Sequence, residues 1–140
     1  MSLLSIDELI EILKEKNEPV PTPSRLPTPE EVEAAEKELS FTFPSDFRRF
    51  LLEASNIVYG LREPGRILPD LPPYICLRKI TQRAWEAGVP SNCIAFCSDN
   101  GNYFTLNEGG ELGYFDHDDS SHTSTSALFT DWIEEDWLEL

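Results

Sequence analysis

The stretch from Cys93 to Phe115 leaves the backbone few choices. Cys93-Ile-Ala-Phe-Cys97 is apolar throughout, as expected of a central strand covered on both faces. Asn100-Gly101 follows, the preferred pair for a two-residue hairpin turn because both positions accept positive φ. Tyr103-Phe-Thr-Leu106 runs back, Glu108-Gly109-Gly110 turns again, and Leu112-Gly-Tyr-Phe115 returns once more. The pattern predicts a three-stranded antiparallel meander. Strand alternation sets Phe104 and Leu106 on one face and Tyr103 on the other, without saying which face is covered.

Helical signals lie on either side of the meander. Ser5 and Glu8 form a capping box ahead of an apolar stripe, Ile6, Leu9, Ile10 and Leu13. Prolines at 19, 21, 23, 27 and 29 then enforce an extended connector. Thr28, Pro29 and Glu31 start a second helix, whose Val32, Ala35 and Leu39 face inward. Phe41 and Phe43 flank a break at Pro44. Ser45 is expected to cap a third helix carrying Phe47, Phe50, Leu51 and Ala54. Ile57-Val-Tyr59 and Tyr74-Ile-Cys-Leu77 are short strand candidates, separated by a proline-rich loop over 64–73. A fourth helix is expected from about residue 78 to Ala87, ending at Gly88. The Asp116–Asp119 segment and the Ser/Thr-rich run over 120–126 read as a loop. A last helix is expected from about Ser126, with Phe129, Trp132, Ile133, Trp137 and Leu140 on its apolar face. By length this is one domain: an N-terminal helix and connector over 1–25, then an α+β unit over 26–140.

Charge narrows the functional classes. The 57 residues after Arg83 contain no lysine or arginine and hold twelve of the 26 carboxylates, whereas the first 83 are close to balanced. Nearly all of the net charge of −15 therefore belongs to the second half. Such a field repels nucleic acid and anionic membrane and attracts a basic protein. The adjacent bases, Arg48-Arg49 and Arg78-Lys79, lack the positive surroundings that phosphate contact needs. No apolar run approaches the roughly 20 residues of a membrane span. Three cysteines, an odd number, in a chain showing no signal sequence suggest reduced thiols and a cytoplasmic location. Cys93 and Cys97 lie about 13 Å apart along an extended strand, beyond disulfide reach and on one face.

No catalytic constellation emerges. Asp116, His117, Asp118, Asp119 and His122 cluster in sequence, but their spacing is not that of a zinc site. The Asp99–Asn102 segment lacks the acid ladder of a calcium loop. Ser120, Ser121 and His122 are neighbours, which does not make a triad, and no Gly-x-Ser-x-Gly elbow is present. The cysteines sit in apolar runs without a thiolate-stabilising neighbour. No metal, cofactor or catalytic residue is expected. What remains is a surface: Tyr103, Tyr114 and Phe115 beside Asp99, Asp116, His117, Asp118 and Asp119. The rings offer contact area and the acids steer encounter with a basic protein.

Three features in order resemble the SUKH superfamily, which includes fungal cell-wall-assembly regulators and bacterial immunity proteins. The first is the helical hairpin, from Glu36 and Leu39 through Phe43-Pro44-Ser45-Asp46-Phe47 to Phe50-Leu51 and Ser55-Asn56. The second is Ile94-Ala-Phe96 leading to the Asp99-Asn-Gly-Asn-Tyr-Phe104 turn, and the third is Gly113-Tyr-Phe-Asp-His-Asp118, with Phe129 and Trp132 on a closing helix. The likeness spans roughly residues 26–138. Phe43 stands where leucine is usual, no glycine pair follows the hairpin asparagine, and 60–77 matches nothing in the family pattern. The resemblance implies an α+β fold, helices packed around a small, mostly antiparallel sheet, and a non-catalytic role. It implies an immunity protein that neutralises a basic toxin domain, often a nuclease. The alternative is a regulatory scaffold like the fungal members. A small hydrolase built on His117 is a third reading.

Overall fold

The computed structural model describes residues 3–140. Four helices come first: α1 (Ile6–Lys16), α2 (Pro29–Leu39), α3 (Ser45–Ala54) and α4 (Leu77–Ala87). Four strands follow, β1 (Cys93–Asp99), β2 (Asn102–Asn107), β3 (Glu111–Asp116) and β4 (Ser121–Leu128). A short α5 (Phe129–Trp132) runs directly into one π-helical turn (Ile133–Trp137). The sheet is antiparallel throughout, in the order β1-β2-β3-β4. The expected α+β architecture and the meander are both present.

The caps explain the first two helices. Ser5 and Thr28 each accept from the backbone N–H three residues on, and Glu8 and Glu31 reciprocate. At α3 the expectation fails. Ser45 is already helical, Pro44 is the cap residue, and no side chain bonds the helix start. A different device secures this joint. Glu36 on α2 accepts from the Phe43 N–H at 2.7 Å and from the Arg48 guanidinium on α3, so one carboxylate ties both helices to the Phe-Thr-Phe-Pro corner.

The principal core lies between these helices and one sheet face. Phe47, Phe50, Phe96, Phe129 and Trp132 are fully buried there. Phe96 stands edge-on to Trp132 at 4.8 Å and to Phe129 at 5.4 Å, the arrangement aromatic quadrupoles favour. The α1 stripe joins the same core. On the opposite face a smaller cluster of Ile80, Ala84, Val89, Cys93, Ala95 and Phe115 packs under α4. Both faces are thus covered over β1.

Three corrections concern the strands. β1 is an edge strand, not a central one. Its free edge is closed by other groups: Trp85 Nε1 donates to the Cys93 carbonyl at 2.8 Å, and the Gly65 N–H donates to the Phe96 carbonyl at 2.7 Å. Thr81 Oγ1 donates to the Ala95 carbonyl and accepts from the Ala95 N–H. Burial of an unpaired edge requires such partners, and they make the strand read as central. Gly65 must be glycine for this closure, because a Cβ there would meet Leu77 Cα at 2.9 Å. Next, a β-bulge between Ala95 and Cys97 shifts the register, so Cys93 packs in the smaller cluster and Cys97 in the larger one. The extra residue of a bulge reverses the alternation, and the two thiols do not share a face. Finally, 121–128 is a strand rather than a loop. It lacks apolar alternation because it lies outermost and mostly exposed.

The remaining candidates also move. Ile57-Val-Tyr59 is not a strand: Val58 pairs with the connector, accepting from the Glu18 N–H at 2.7 Å and donating to Asn17 Oδ1 at 2.9 Å. Over 74–77 there is one parallel bridge, Arg66 to Cys76, before α4 begins at Leu77. The last helix begins at Phe129, not near Ser126. Its π turn changes the phase, burying Leu138 and leaving Leu140 62% exposed, against the inward position expected for Leu140.

Candidate functional site

The Asn100-Gly101 turn, with both residues at positive φ, closes β1 onto β2 and brings Asp99 opposite Asn102. From there a chain of polar contacts crosses the end of the sheet. Tyr114 Oη donates to Asp99 Oδ2 at 2.8 Å and accepts from Asn102 Nδ2 at 2.9 Å. Asn102 Oδ1 accepts the backbone N–H of His117 at 2.9 Å and its ring Nδ1–H at 2.6 Å. The amide oxygen can only accept, so Nδ1 carries the proton. His117 Nε2 lies 3.3 Å from Asp118 Oδ1. Asp116 Oδ1 accepts the Asp118 N–H, and Asp119 Oδ1 accepts both the N–H and the hydroxyl of Ser121. The β3–β4 turn is therefore shaped by its own acids, with Ser120 at positive φ.

Arg62 enters from the loop after α3. Its Nη1 donates to Asp99 Oδ1 at 3.0 Å, and its guanidinium lies 4.8 Å from the Phe104 ring centroid. Asp99 is consequently neutralised within the fold. Beside it opens a cleft of about 510 Å³, lined among others by Tyr59, Leu61, Arg62, Asp99, Asp136 and Glu139. The π turn aims Asp136 at this cleft, and Trp137 Nε1 donates to the Tyr59 carbonyl at 2.9 Å to anchor the wall. Burial pushes the Asp136 carboxyl above its ordinary pKa; Arg62 opposes this, and Glu135 and Asp99 add to it. The Tyr114 phenol is pushed up as well, by burial and by the bond to Asp99.

Of the residues singled out from sequence, Asp99, Tyr114, Asp116, His117, Asp118 and Asp119 converge at this one end of the sheet. Tyr103 does not join them. It lies on the α4 face, half-buried, with its ring 6.3 Å from that of Phe115. Arg62, Asn102, Asp136 and Glu139 also join this network or line its cleft, and were not singled out from sequence as partner-binding residues. Asn102 carried a usable signal, since it directly follows the hairpin turn. Arg62 lies in the loop with no readable pattern, and Asp136 depends on the π turn.

The chemistry available here is polar contact and charge. His117 is exposed and engaged with Asn102 and Asp118, and Ser121 with Asp119. Potential metal-ligand atoms of Asp116, His117 and Asp118 lie within 4.8 Å of one another, in a surface turn whose histidine Nδ1 is already committed to Asn102. Elsewhere, His122 Nε2 meets Thr105 Oγ1 at 2.8 Å across Gly113, and burial pushes that imidazole below its usual pKa. Thr105 itself is 1% exposed, so no substrate reaches that hydroxyl. All three cysteines are free and buried, and burial raises the Cys97 thiol to about 12. Among the described residues no helix is long and apolar enough to cross a membrane.

Comparison with known proteins agrees with this architecture. A crystal structure of a protein from Pseudomonas syringae pv. tomato is similar, with 32% sequence identity and a TM-score of 0.85. The match covers 96% of this chain and 99% of that one. No curated protein matches. Residues 6–138 match the SMI1-KNR4 cell-wall family, SUKH_5. With the hairpin, the meander turn and the Asp-His-Asp strand end in their expected order, and the family match running nearly end to end, this chain belongs to the SUKH superfamily.

Proposed function

We propose that this chain is a non-catalytic binding module that neutralises a basic toxin domain, such as a nuclease, in the cytoplasm. The observation that carries this reading is how the charges are used. Near the helices five carboxylates are held by arginines, Glu31 by Arg25, Glu36 by Arg48, Glu38 by Arg78, and Asp7 and Glu53 by Arg49, while Glu15, Glu30 and Glu33 face solvent. At the turn end, Asp118, Asp119, Glu135 and Glu139 are exposed; among the described residues none of them meets a lysine or arginine, Asp118 lies beside His117, and Arg62 is already paired with Asp99. Leu61, 97% exposed, stands at the rim of the cleft beside them. An apolar contact next to uncompensated acid suits a cationic protein surface. A nuclease must be basic to hold phosphate, and opposed fields speed encounter by roughly 10- to 1,000-fold at low salt.

The test is binding to the product of the neighbouring gene, if toxin-like, in a catalytically dead form. Tight association whose on-rate falls with salt is the expected result. The variant carrying Asp116→Lys, Asp118→Lys and Asp119→Lys should associate at least about tenfold more slowly. Absence of a toxin-like neighbour, together with no protection of cells from any basic toxin offered, removes the proposal. Salt-insensitive binding of a neutral partner instead favours the regulatory-scaffold alternative.

A further inference from the structure

A second cleft, of about 300 Å³, lies between the proline-rich connector and the loop over 57–75. Hydrogen bonds fix its walls. Asn56 Nδ2 holds the Ser24 carbonyl at 3.1 Å, and Arg66 exchanges backbone bonds with Ile75 and Leu77. Ile57, Leu71 and Ile75, with the rings of Tyr59 and Tyr74, supply its apolar lining. Arg66 supplies its charge.

Arg66 differs from the arginines that sit against carboxylates. Among the described residues its guanidinium has no carboxylate within ion-pair distance; Nη1 donates to Ser24 Oγ at 3.1 Å. Among the described residues no acceptor reaches Nε or Nη2, and neither nitrogen is sealed from solvent. The Nε–Nη2 edge is the fork on which a guanidinium takes a carboxylate side-on through two parallel hydrogen bonds. Burial of the side chain lowers its pKa, opposed by Glu63 and Tyr74, so the site already bears a desolvation cost that an anion would offset. Arg62, the other base on the cleft wall, is neutralised by Asp99. One free guanidinium with Glu63 nearby suits a monoanion better than a phosphate dianion.

We infer that this cleft binds a small carboxylate carried on an apolar or aromatic body, with Arg66 clamping the carboxylate and the Tyr59 and Tyr74 rings enclosing the body. This goes beyond the docking of a basic partner and does not depend on it. The two also respond oppositely to salt. Screening weakens the attraction of a cationic partner, but relieves the repulsion of an anion by a chain of net charge −15.

The probe is benzoate, with neutral benzamide as control, titrated into the full chain and followed by NMR at the Arg66 Nε–H and the tyrosine rings. Benzoate should give saturable shifts at Arg66, Tyr59 and Tyr74, and benzamide none. Arg66→Gln should weaken benzoate roughly 10- to 100-fold, the span for losing hydrogen bonds to a charged group. Ser24→Ala keeps the guanidinium and its charge but removes the hydroxyl that anchors Nη1, so a several-fold loss is expected there. Thermal melting of both variants checks that the fold persists, and Ser24→Ala decides if Arg66→Gln does not fold. Equal shifts with benzamide overturn the inference. So do non-saturating shifts spread over every arginine, or full benzoate affinity in the folded variants.

Discussion

The α2–α3 joint and the turn end of the sheet are built from the same materials, carboxylates beside aromatic rings, used in opposite directions. At the joint, Glu36 turns inward, and its Oε2 accepts from both the Phe43 N–H and the Arg48 guanidinium. Phe41, Phe43 and Phe47 pack in series behind it. At the turn end Asp118 and Asp119 are exposed: Asp119 accepts from Ser121 within its own turn, Asp118 lies beside the His117 ring, and neither meets a lysine or arginine among the described residues. An acid that satisfies the backbone and a base holds the fold together. An acid left facing water contributes little to the fold and is available to a partner. The contrast teaches that acidity by itself does not mark a site. What marks it is acid that the fold does not consume.

Substitutions can break or sharpen this contrast. The largest effect belongs to the helical side: Phe47→Ala, at a fully buried ring touching Phe43, Phe96 and Phe129, should cost about 3–5 kcal/mol in denaturant unfolding. Glu36→Ala should cost about 1.5–3 kcal/mol, because it orphans the Phe43 N–H and leaves Arg48 unpaired. A loss near zero would erase the distinction between the two regions. Gly113→Ala should cost at least about 1 kcal/mol, since the new Cβ would lie 2.5 Å from Thr105 Oγ1 and 2.8 Å from His122 Nε2. Part of that strain can relax, because His122 is only half-buried.

The pH response isolates the same histidine. Its folded pKa lies below 6.5, so the unfolded chain takes up the proton first as pH falls. Stability should therefore decline on acidification from about pH 7 toward about pH 5, by less in His122→Gln than in the wild type, measured by melting temperature. The smallest effect on stability is expected at the turn end. Asp118→Asn with Asp119→Asn should shift it by about 0.5 kcal/mol or less while slowing a basic partner's association. A large destabilisation would mean that these acids serve the fold after all.

Much of the fold was legible because it rests on local chemistry. Capping boxes at Ser5 and Thr28, the Asn-Gly turn and the apolar stripes of α1 to α3 each depend on residues a few positions apart. The acids at 116–119 could be placed at a strand end for the same reason. Illegible were features in which distant segments meet. β4 looks like a loop because an outer strand pairs through its backbone and needs few apolar side chains. The bulge at Ala95 and Cys97 leaves no compositional trace, yet it moves Cys97 to the other face. Tyr103 was grouped with Tyr114 by sequence proximity, and the pleat separates them.

The amino-acid order alone determined that helices precede a hairpin meander and that negative charge gathers in the second half, because periodicity, turn chemistry and composition act over short distances or none. The tertiary structure alone decided which charges survive uncompensated. Arg62 closing on Asp99, Glu36 reaching Arg48 and Arg66 held by Ser24 away from any carboxylate among the described residues are outcomes of long-range packing. Coulomb interactions depend on separation in space and on burial, and neither quantity is written in sequence spacing.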